Sequence, residues 1–231
     1  FRKKQLLPII KNQIYSVFNS RYLLENTSNI YFFKQKLIIP NFLTKEFENV
    51  KINYRRKPYF VWSVQRERGL NDLINLWVKK VYPYNKNLKL FIFGIDIKKI
   101  NIIKINYKKY NILFKGRVNK NTLIKYYKSS LGMICLGYDE TFCLNAIESY
   151  ACGLPILTFG LTAVAEISTK KNSFRGSNFN HIYKHIVFLS EMSDKSRKKL
   201  IDNCVSYSKK YYIKNVIGKW VKLLKVSSNV K

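Results

Sequence analysis

Past Pro58 the chain alternates between short apolar runs and longer amphipathic stretches. YFVWSV (Tyr59–Val64), LKLFIFG (Leu88–Gly94), NILFKG (Asn111–Gly116), LGMICLG (Leu131–Gly137) and PILTF (Pro155–Phe159) are largely apolar through their centres, as strands covered on both faces should be. Helical spacing fills the gaps. In Gly69–Lys80, Leu70, Leu73, Ile74 and Trp77 fall at i, i+3, i+4 and i+7. Thr122–Ser129 predicts a shorter helix, and a third starts near Thr141 as N-cap and stops at Gly153, with Pro155 barring continuation. Three more are predicted near 179–190, 193–210 and 212–226. Such regular alternation predicts an α/β fold with a doubly wound, Rossmann-like parallel sheet.

The pattern before Pro58 is sparser. Gln13–Asn19 reads as a strand, SRYLLEN as a short helix capped by Ser20, and KLIIPNF (Lys36–Phe42) as a strand stopped at Pro40-Asn41. Leu43–Pro58 is polar and basic without sustained periodicity, and reads as a linker. A second loop, rich in lysine and asparagine, is expected around Lys98–Lys109.

Composition changes this picture in three ways. The 231 residues are 47% hydrophobic, ample for a buried core. The net charge of +30, from 43 basic against 13 acidic residues, points to an acidic partner, either nucleic acid or an anionic membrane. Arginine, the better fork for phosphate and base edges, supplies only nine of those 43, and no recognition helix or stacking motif accompanies the scattered lysines. That argues against a dedicated nucleic-acid role, and the charge reads as general compositional drift more than as a designed patch, with peripheral contact with an anionic membrane as a further use it could serve. The four cysteines lack metal-ligand spacing, only two histidines (His181, His185) accompany them, and they read as small core residues of a reducing compartment. No metal site is expected. Leu154–Ala165 is too short to span a bilayer and no signal peptide is visible, so the expected location is cytoplasmic. The chain opens on Phe1 rather than Met, compatible with a fragment of something longer.

Against this lysine background, Ser129–Thr169 contains no Lys or Arg, where about eight would be expected at the average density. Burial of two strands and a helix excludes charge. It does not explain the carboxylates retained there, Asp139, Glu140, Glu148 and Glu166. Gly137–Glu140 would form the loop at the carboxyl end of a strand, where doubly wound sheets bind ligands. Leu144, Ile147 and Ala151 would form the core face of the following helix, and Glu148 its flank, about 100° round from Ile147. The unpaired amides of Thr141, Phe142 and Cys143 would make an anion site beside two hydroxyl-accepting carboxylates. The combination suits a nucleotide-sugar, its diphosphate on the amides and its diols on the carboxylates. The alternative is structural, with Glu140 serving the helix dipole and Glu148 a solvated flank residue.

ETFCLNAIE (Glu140–Glu148) resembles the E-x7-E motif of the retaining glycosyl transferase group 1 family, which has the two-domain GT-B fold. VWSVQRERGLNDLINLW, LKLFIFG, ILFKGRV and YACGLPILTFG followed by AVAEI resemble other segments of that family, in the same order. The resemblance covers Pro58–Leu224 and implies a carboxyl-terminal donor-binding domain at 58–231, a linker at 44–57 and the tail of an amino-terminal acceptor domain at 1–43. It implies that Glu140 holds the donor sugar, the amides of Thr141, Phe142 and Cys143 the diphosphate, and Glu148 the ribose. Arg68 would stabilise the leaving diphosphate, and Gly116, Arg117 and Val118 would lie beside the base. Glu140 and Arg68 are the residues expected to support the chemistry, with a nucleotide-sugar as co-substrate, no cofactor and no metal.

Some positions depart from that pattern. Trp62 and Ser63 stand where the family usually has Gly-Arg, with Arg66 the nearest substitute, and Leu161–Ala165 runs without the expected glycine beside the donor. The expected partners are a nucleotide-sugar, a saccharide or lipid-linked acceptor and the missing amino-terminal domain. The competing class is a basic, non-catalytic module that binds anionic membrane or nucleic acid.

Overall fold

A computed structural model of the chain describes residues 15–28, 35–63, 69–97 and 105–228, without the side chains of 226–228. Strands β1 (Tyr15–Phe18) and β2 (Gln35–Ile38) pair in parallel as a separate two-stranded sheet. Between them lies α1 (Arg21–Glu25), whose N-cap Ser20 accepts a hydrogen bond from the Leu23 amide at 3.0 Å, as its position predicts.

The main sheet comprises β3 (Tyr59–Trp62), β4 (Lys89–Phe93), β5 (Ile112–Gly116), β6 (Gly132–Ile134), β7 (Ile156–Thr158) and β8 (Ser173–Arg175). Every pairing is parallel and the spatial order is β5-β4-β3-β6-β7-β8. Counted from β3 this is the doubly wound order 3-2-1-4-5-6, which reverses between β3 and β6. β8 escapes the sequence pattern because it has three residues, two of them polar.

Helix α2 (Lys45–Glu48) lies within the segment that the sequence leaves without structure, and its Phe47 is fully buried, as is the neighbouring Leu43. One aromatic side chain is enough to pack a single turn, but too little to produce a period. α3 (Leu70–Leu76) runs on through a π-helical turn, Trp77–Val81, into Tyr82–Tyr84. Pro83 lies in that last turn, and a widened turn before it relieves the clash of its ring with the carbonyl four residues back. α4 (Lys120–Tyr127), α5 (Leu144–Ala151), α6 (Val164–Ile167), α7 (Phe179–Glu191), α8 (Asp194–Ser208) and α9 (Ile213–Ser228) complete the order.

Two expectations for α5 need correction. Its N-cap is Cys143 rather than Thr141, because the preceding residues are engaged elsewhere: the Thr141 carbonyl accepts from Ser20 Oγ at 2.5 Å and the Glu140 carbonyl from the Ala163 amide at 3.2 Å. Nor does α5 have a solvent flank. Residues 146–151 are all buried, since α8 and α2 pack on the helix as well as the sheet.

The carboxyl end of α5 follows the prediction. Gly153 takes the left-handed conformation (φ +70°), and the amides of Gly153 and Leu154 return to the carbonyls of Tyr150 and Ser149. The carbonyls left over meet Arg56, a largely buried guanidinium that donates to Cys152 O (3.1 Å), Gly153 O (3.0 Å) and Tyr127 O (2.9 Å). Burial lowers its pKa to about 10. A Cβ on Gly153 would lie 2.9 Å from Arg56 Nη2 and 2.6 Å from Ile201 Cγ2, so glycine is needed here for space as well as for φ. Arg56→Ala would strand three buried acceptors and is expected to cost about 3 kcal/mol, and Arg56→Lys about half of that. Urea unfolding followed by tryptophan fluorescence measures both, and unchanged midpoints would mean that water satisfies those carbonyls.

Candidate functional site

The strand order reverses between β3 and β6, the switch point where doubly wound sheets form a ligand crevice at the carboxyl ends of their strands, and two connections border it. After β3 the chain passes through Ser63 and enters α3 at Gly69, whose φ is +80°. A Cβ at Gly69 would stand 2.6 Å from Leu136 Cδ1 and 3.0 Å from Tyr138 Cε2, so the start of α3 touches the loop after β6. Ser63 is buried; its hydroxyl pairs with Tyr127 Oη and contacts Met133 Sδ at 3.1 Å, and its carbonyl accepts from Asn145 Nδ2. The position that departs from the family pattern therefore ties β3 to α5. Arg66 and Arg68 lie outside the described residues.

The second connection, from Cys135 to Cys143, is fastened to the loop after β7. Thr162 Oγ1 donates to Gly137 O (2.6 Å) and accepts from the Glu140 amide (3.3 Å). Asp139, Cys143 and Thr162 all have positive φ, +48°, +62° and +52°. Of the four described non-glycine residues with positive φ, these three lie in the two loops at the crevice. Strain of this kind, on the order of 1–2 kcal/mol per residue, persists where surrounding contacts over-determine the backbone. Thr162 also accounts for the missing glycine, because a threonine adopts the conformation and its hydroxyl clamps Gly137.

Glu140 is half-buried in this loop. Thr141 is exposed, while Phe142 is buried with its ring 5.7 Å from that of Tyr211. Because α5 starts late, its leading amides belong to Leu144 and Asn145, and the Ala146 amide already bonds Cys143 O at 3.1 Å. Of the three residues whose amides the sequence favours, Cys143 borders the helix and Thr141 and Phe142 precede it.

Glu148, in the second turn of α5, retains 8% of its exposure, and among the described residues no group hydrogen-bonds its carboxylate. Burial raises its pKa to about 7, against the attraction of Lys120 and with the repulsion of Glu46. The solvated-flank reading fails for this residue. Lys120, the first residue of α4, is itself held by Thr44 Oγ1 (3.0 Å) and Glu46 (3.7 Å). The sequence gives no sign of its importance, since it is one lysine among many. Gly116, Arg117 and Val118 close β5 and lead into α4, on the same edge of the sheet but two strands from β3. Gly116 has φ +59° and open space where a Cβ would stand, so its need is conformational. His181 and His185 lie apart from these loops on α7, half-buried, bonded to Ser177 and to the Arg175 carbonyl. Among the described residues no cluster of three or more His, Cys, Asp or Glu could hold a metal.

The arrangement predicts an inverted pH dependence at one residue. A carboxyl group whose folded pKa is raised from 4.5 to about 7 binds more protons in the folded state, so its contribution to stability falls as pH rises through that window. Glu148→Gln should therefore gain on the unmodified chain between pH 4.5 and 8, by on the order of 2 kcal/mol, in paired urea titrations. A constant difference would show that Glu148 is ionised throughout.

Comparison with known proteins fits this geometry. A sequence search of curated proteins finds no match. Among solved structures, the chain superposes on the S. aureus TarM G117R mutant in complex with fondaparinux, alpha-GlcNAc-glycerol and UDP (TM-score 0.76, 18% identity, 96% of this chain and 46% of that one). It also superposes on a glycosyltransferase from Rickettsia africae (TM-score 0.77, 12% identity, 99% and 67%) and on sucrose-phosphate synthase from Thermosynechococcus elongatus (TM-score 0.72, 16% identity, 98% and 62%). The chain spans less than half of the TarM chain. These likenesses give the fold, that of the GT-B glycosyltransferases. The family model described as glycosyl transferases group 1 matches residues 44–205, and the chain belongs to that family.

Proposed function

We propose that this chain is the donor-binding half of a glycosyltransferase that moves a sugar from a nucleotide-sugar to a saccharide or lipid-linked acceptor. The observation that carries the reading is Glu148, a buried carboxylate with no protein hydrogen-bond partner among the described residues, on the helix that starts at the sheet's switch point. Such a group is costly unless a ligand completes it, and a pair of ribose hydroxyls would do so. Glu140 takes the hydroxyls of the donor sugar. The amides at the head of α5, from Cys143 to Asn145, together with Arg68 and Arg66, take the diphosphate and stabilise it as it leaves. Gly116, Arg117 and Val118 border the base. UDP in the TarM complex, and UDP with GlcNAc in the pneumococcal O-GlcNAc transferase GtfA, support a nucleotide ligand for this fold.

The acceptor requires a second folded unit, and residues 1–43 are read as its tail, with 44–57 as linker and 58–231 as the donor domain. Two surfaces support that reading. β1 and β2 form a parallel sheet of only two described strands, and parallel sheets are stable when extended and covered on both faces. Ile213, Ile217, Val221 and Leu224 form an exposed apolar stripe along α9. The enzyme would work in the cytoplasm, and its charge of +30 suits peripheral contact with an anionic membrane.

Calorimetry with UDP- and GDP-sugars tests the donor site. At least one nucleotide should bind, and Glu148→Ala and Arg68→Ala should each weaken it by about tenfold or more. Salt-sensitive binding of polyanions without any nucleotide affinity would overturn the reading. The chain by itself should show no sugar transfer across a panel of donors and acceptors, and robust turnover would refute the need for a second unit.

A further inference from the structure

Cys135 and Cys143 bring their sulfurs to 3.3 Å. Cys135 follows β6, its amide bonded to Leu157 O at 2.9 Å, and it is fully buried. Cys143, 6% exposed, is the N-cap of α5. The seven residues between them form the loop that carries Glu140. Cys143 also holds a backbone conformation (φ +62°) that glycine adopts more cheaply, so local backbone needs do not account for a cysteine there. What the side chain adds is a sulfur placed against a second sulfur. Cys152 and Cys204 are buried as well, and Cys204 Sγ faces the Asn172 carbonyl at 3.9 Å rather than another thiol.

We propose that Cys135 and Cys143 form a reversible redox pair that closes to a disulfide under hydrogen peroxide and, in closing, displaces the head of α5 and weakens nucleotide binding. The second half of this statement rests on the donor-site reading. Cys143 is the outer of the two sulfurs and reacts first. As the thiolate it attacks peroxide, an S–O bond forms, the O–O bond breaks and hydroxide leaves. Cys135 then attacks the resulting sulfenic acid, forming the S–S bond and expelling the second oxygen as water once protonated. Two thiols and one peroxide give one disulfide and two waters, with two electrons passing from sulfur to oxygen. A disulfide needs about 2.05 Å between sulfurs, so they must close by roughly 1.2 Å. The backbone bond to Leu157 holds Cys135 in the sheet, and the movement falls on Cys143 and the first turn of α5. The bond to Cys135 and burial push the Cys143 thiol up, so closure quickens as pH rises above neutral.

The test treats the reduced chain with hydrogen peroxide at alkaline pH, then counts thiols in denaturant, maps peptides without reduction and measures UDP affinity before and after dithiothreitol. Free thiols should fall from four to two, with a single cross-link joining Cys135 to Cys143. The UDP Kd should rise about tenfold and recover on reduction. Cys135→Ala should bind UDP like the reduced chain and form no cross-link under peroxide, its Cys143 stopping at the sulfenic acid, whereas the double variant Cys152→Ala, Cys204→Ala should still cross-link and lose affinity. Four surviving thiols, a cross-link elsewhere, or a disulfide that leaves the Kd unchanged would each overturn the proposal. A reduced chain that fails to bind UDP would instead remove the donor reading and the linked effect on affinity, while the mapping still decides whether the pair closes.

Discussion

The Arg56 guanidinium at the carboxyl end of α5 is the contact on which the crevice depends. α5 is buried all round, and a buried helix keeps its end charges, since little water is present to screen them. At the carboxyl end the partial negative charge and the orphan carbonyls are met by Arg56. Among the described residues no acidic side chain or side-chain cap compensates the other end, where Leu144 and Asn145 head the helix. The positive end of the dipole is left to act on whatever occupies the switch point. Asn145 fixes that end through its bond to the Ser63 carbonyl, so the helix is anchored at both ends, to the segment before β3 and to the turn after it.

The features legible in the sequence are those set by period and by single-residue chemistry. The five apolar runs all become strands of one parallel sheet, because strands covered on both faces must be apolar throughout. Ser20 and Gly153 were readable as caps because each has a local requirement that few residue types satisfy. β8 and α2 were not readable, as three or four residues are too short to show a period, and what orders them is tertiary: pairing with β7 for one, and the burial of Phe47 for the other.

The site divides in the same way. Glu140 and Glu148 stand out in the sequence because they interrupt an otherwise apolar segment, and the structure puts Glu140 in the loop after β6 and Glu148 on the helix that follows it. The start of α5 lies later than local sequence predicts because tertiary bonds, from Ser20 to the Thr141 carbonyl and from Ala163 to the Glu140 carbonyl, outweigh the preference of Thr141 for an N-cap. Lys120 was invisible for a different reason. Its neighbours in space, Thr44, Glu46 and Glu148, are distant in the chain, and no local pattern marks a lysine that reaches them.

The lysine-free window acquires a physical account from Glu148. In a chain of +30, a buried carboxylate that no group among the described residues hydrogen-bonds stays so only where nearby cations are few, because an ammonium within reach would pair with it. Among the described residues Lys120 is the cation whose charge acts on Glu148, and Thr44 and Glu46 hold it, so it lowers the carboxyl pKa without lifting the effect of burial. The window from Ser129 to Thr169 supplies none of its own. Excluding lysine there therefore does more than keep charge out of a core, since it leaves one buried carboxylate without a hydrogen-bond partner among the described residues.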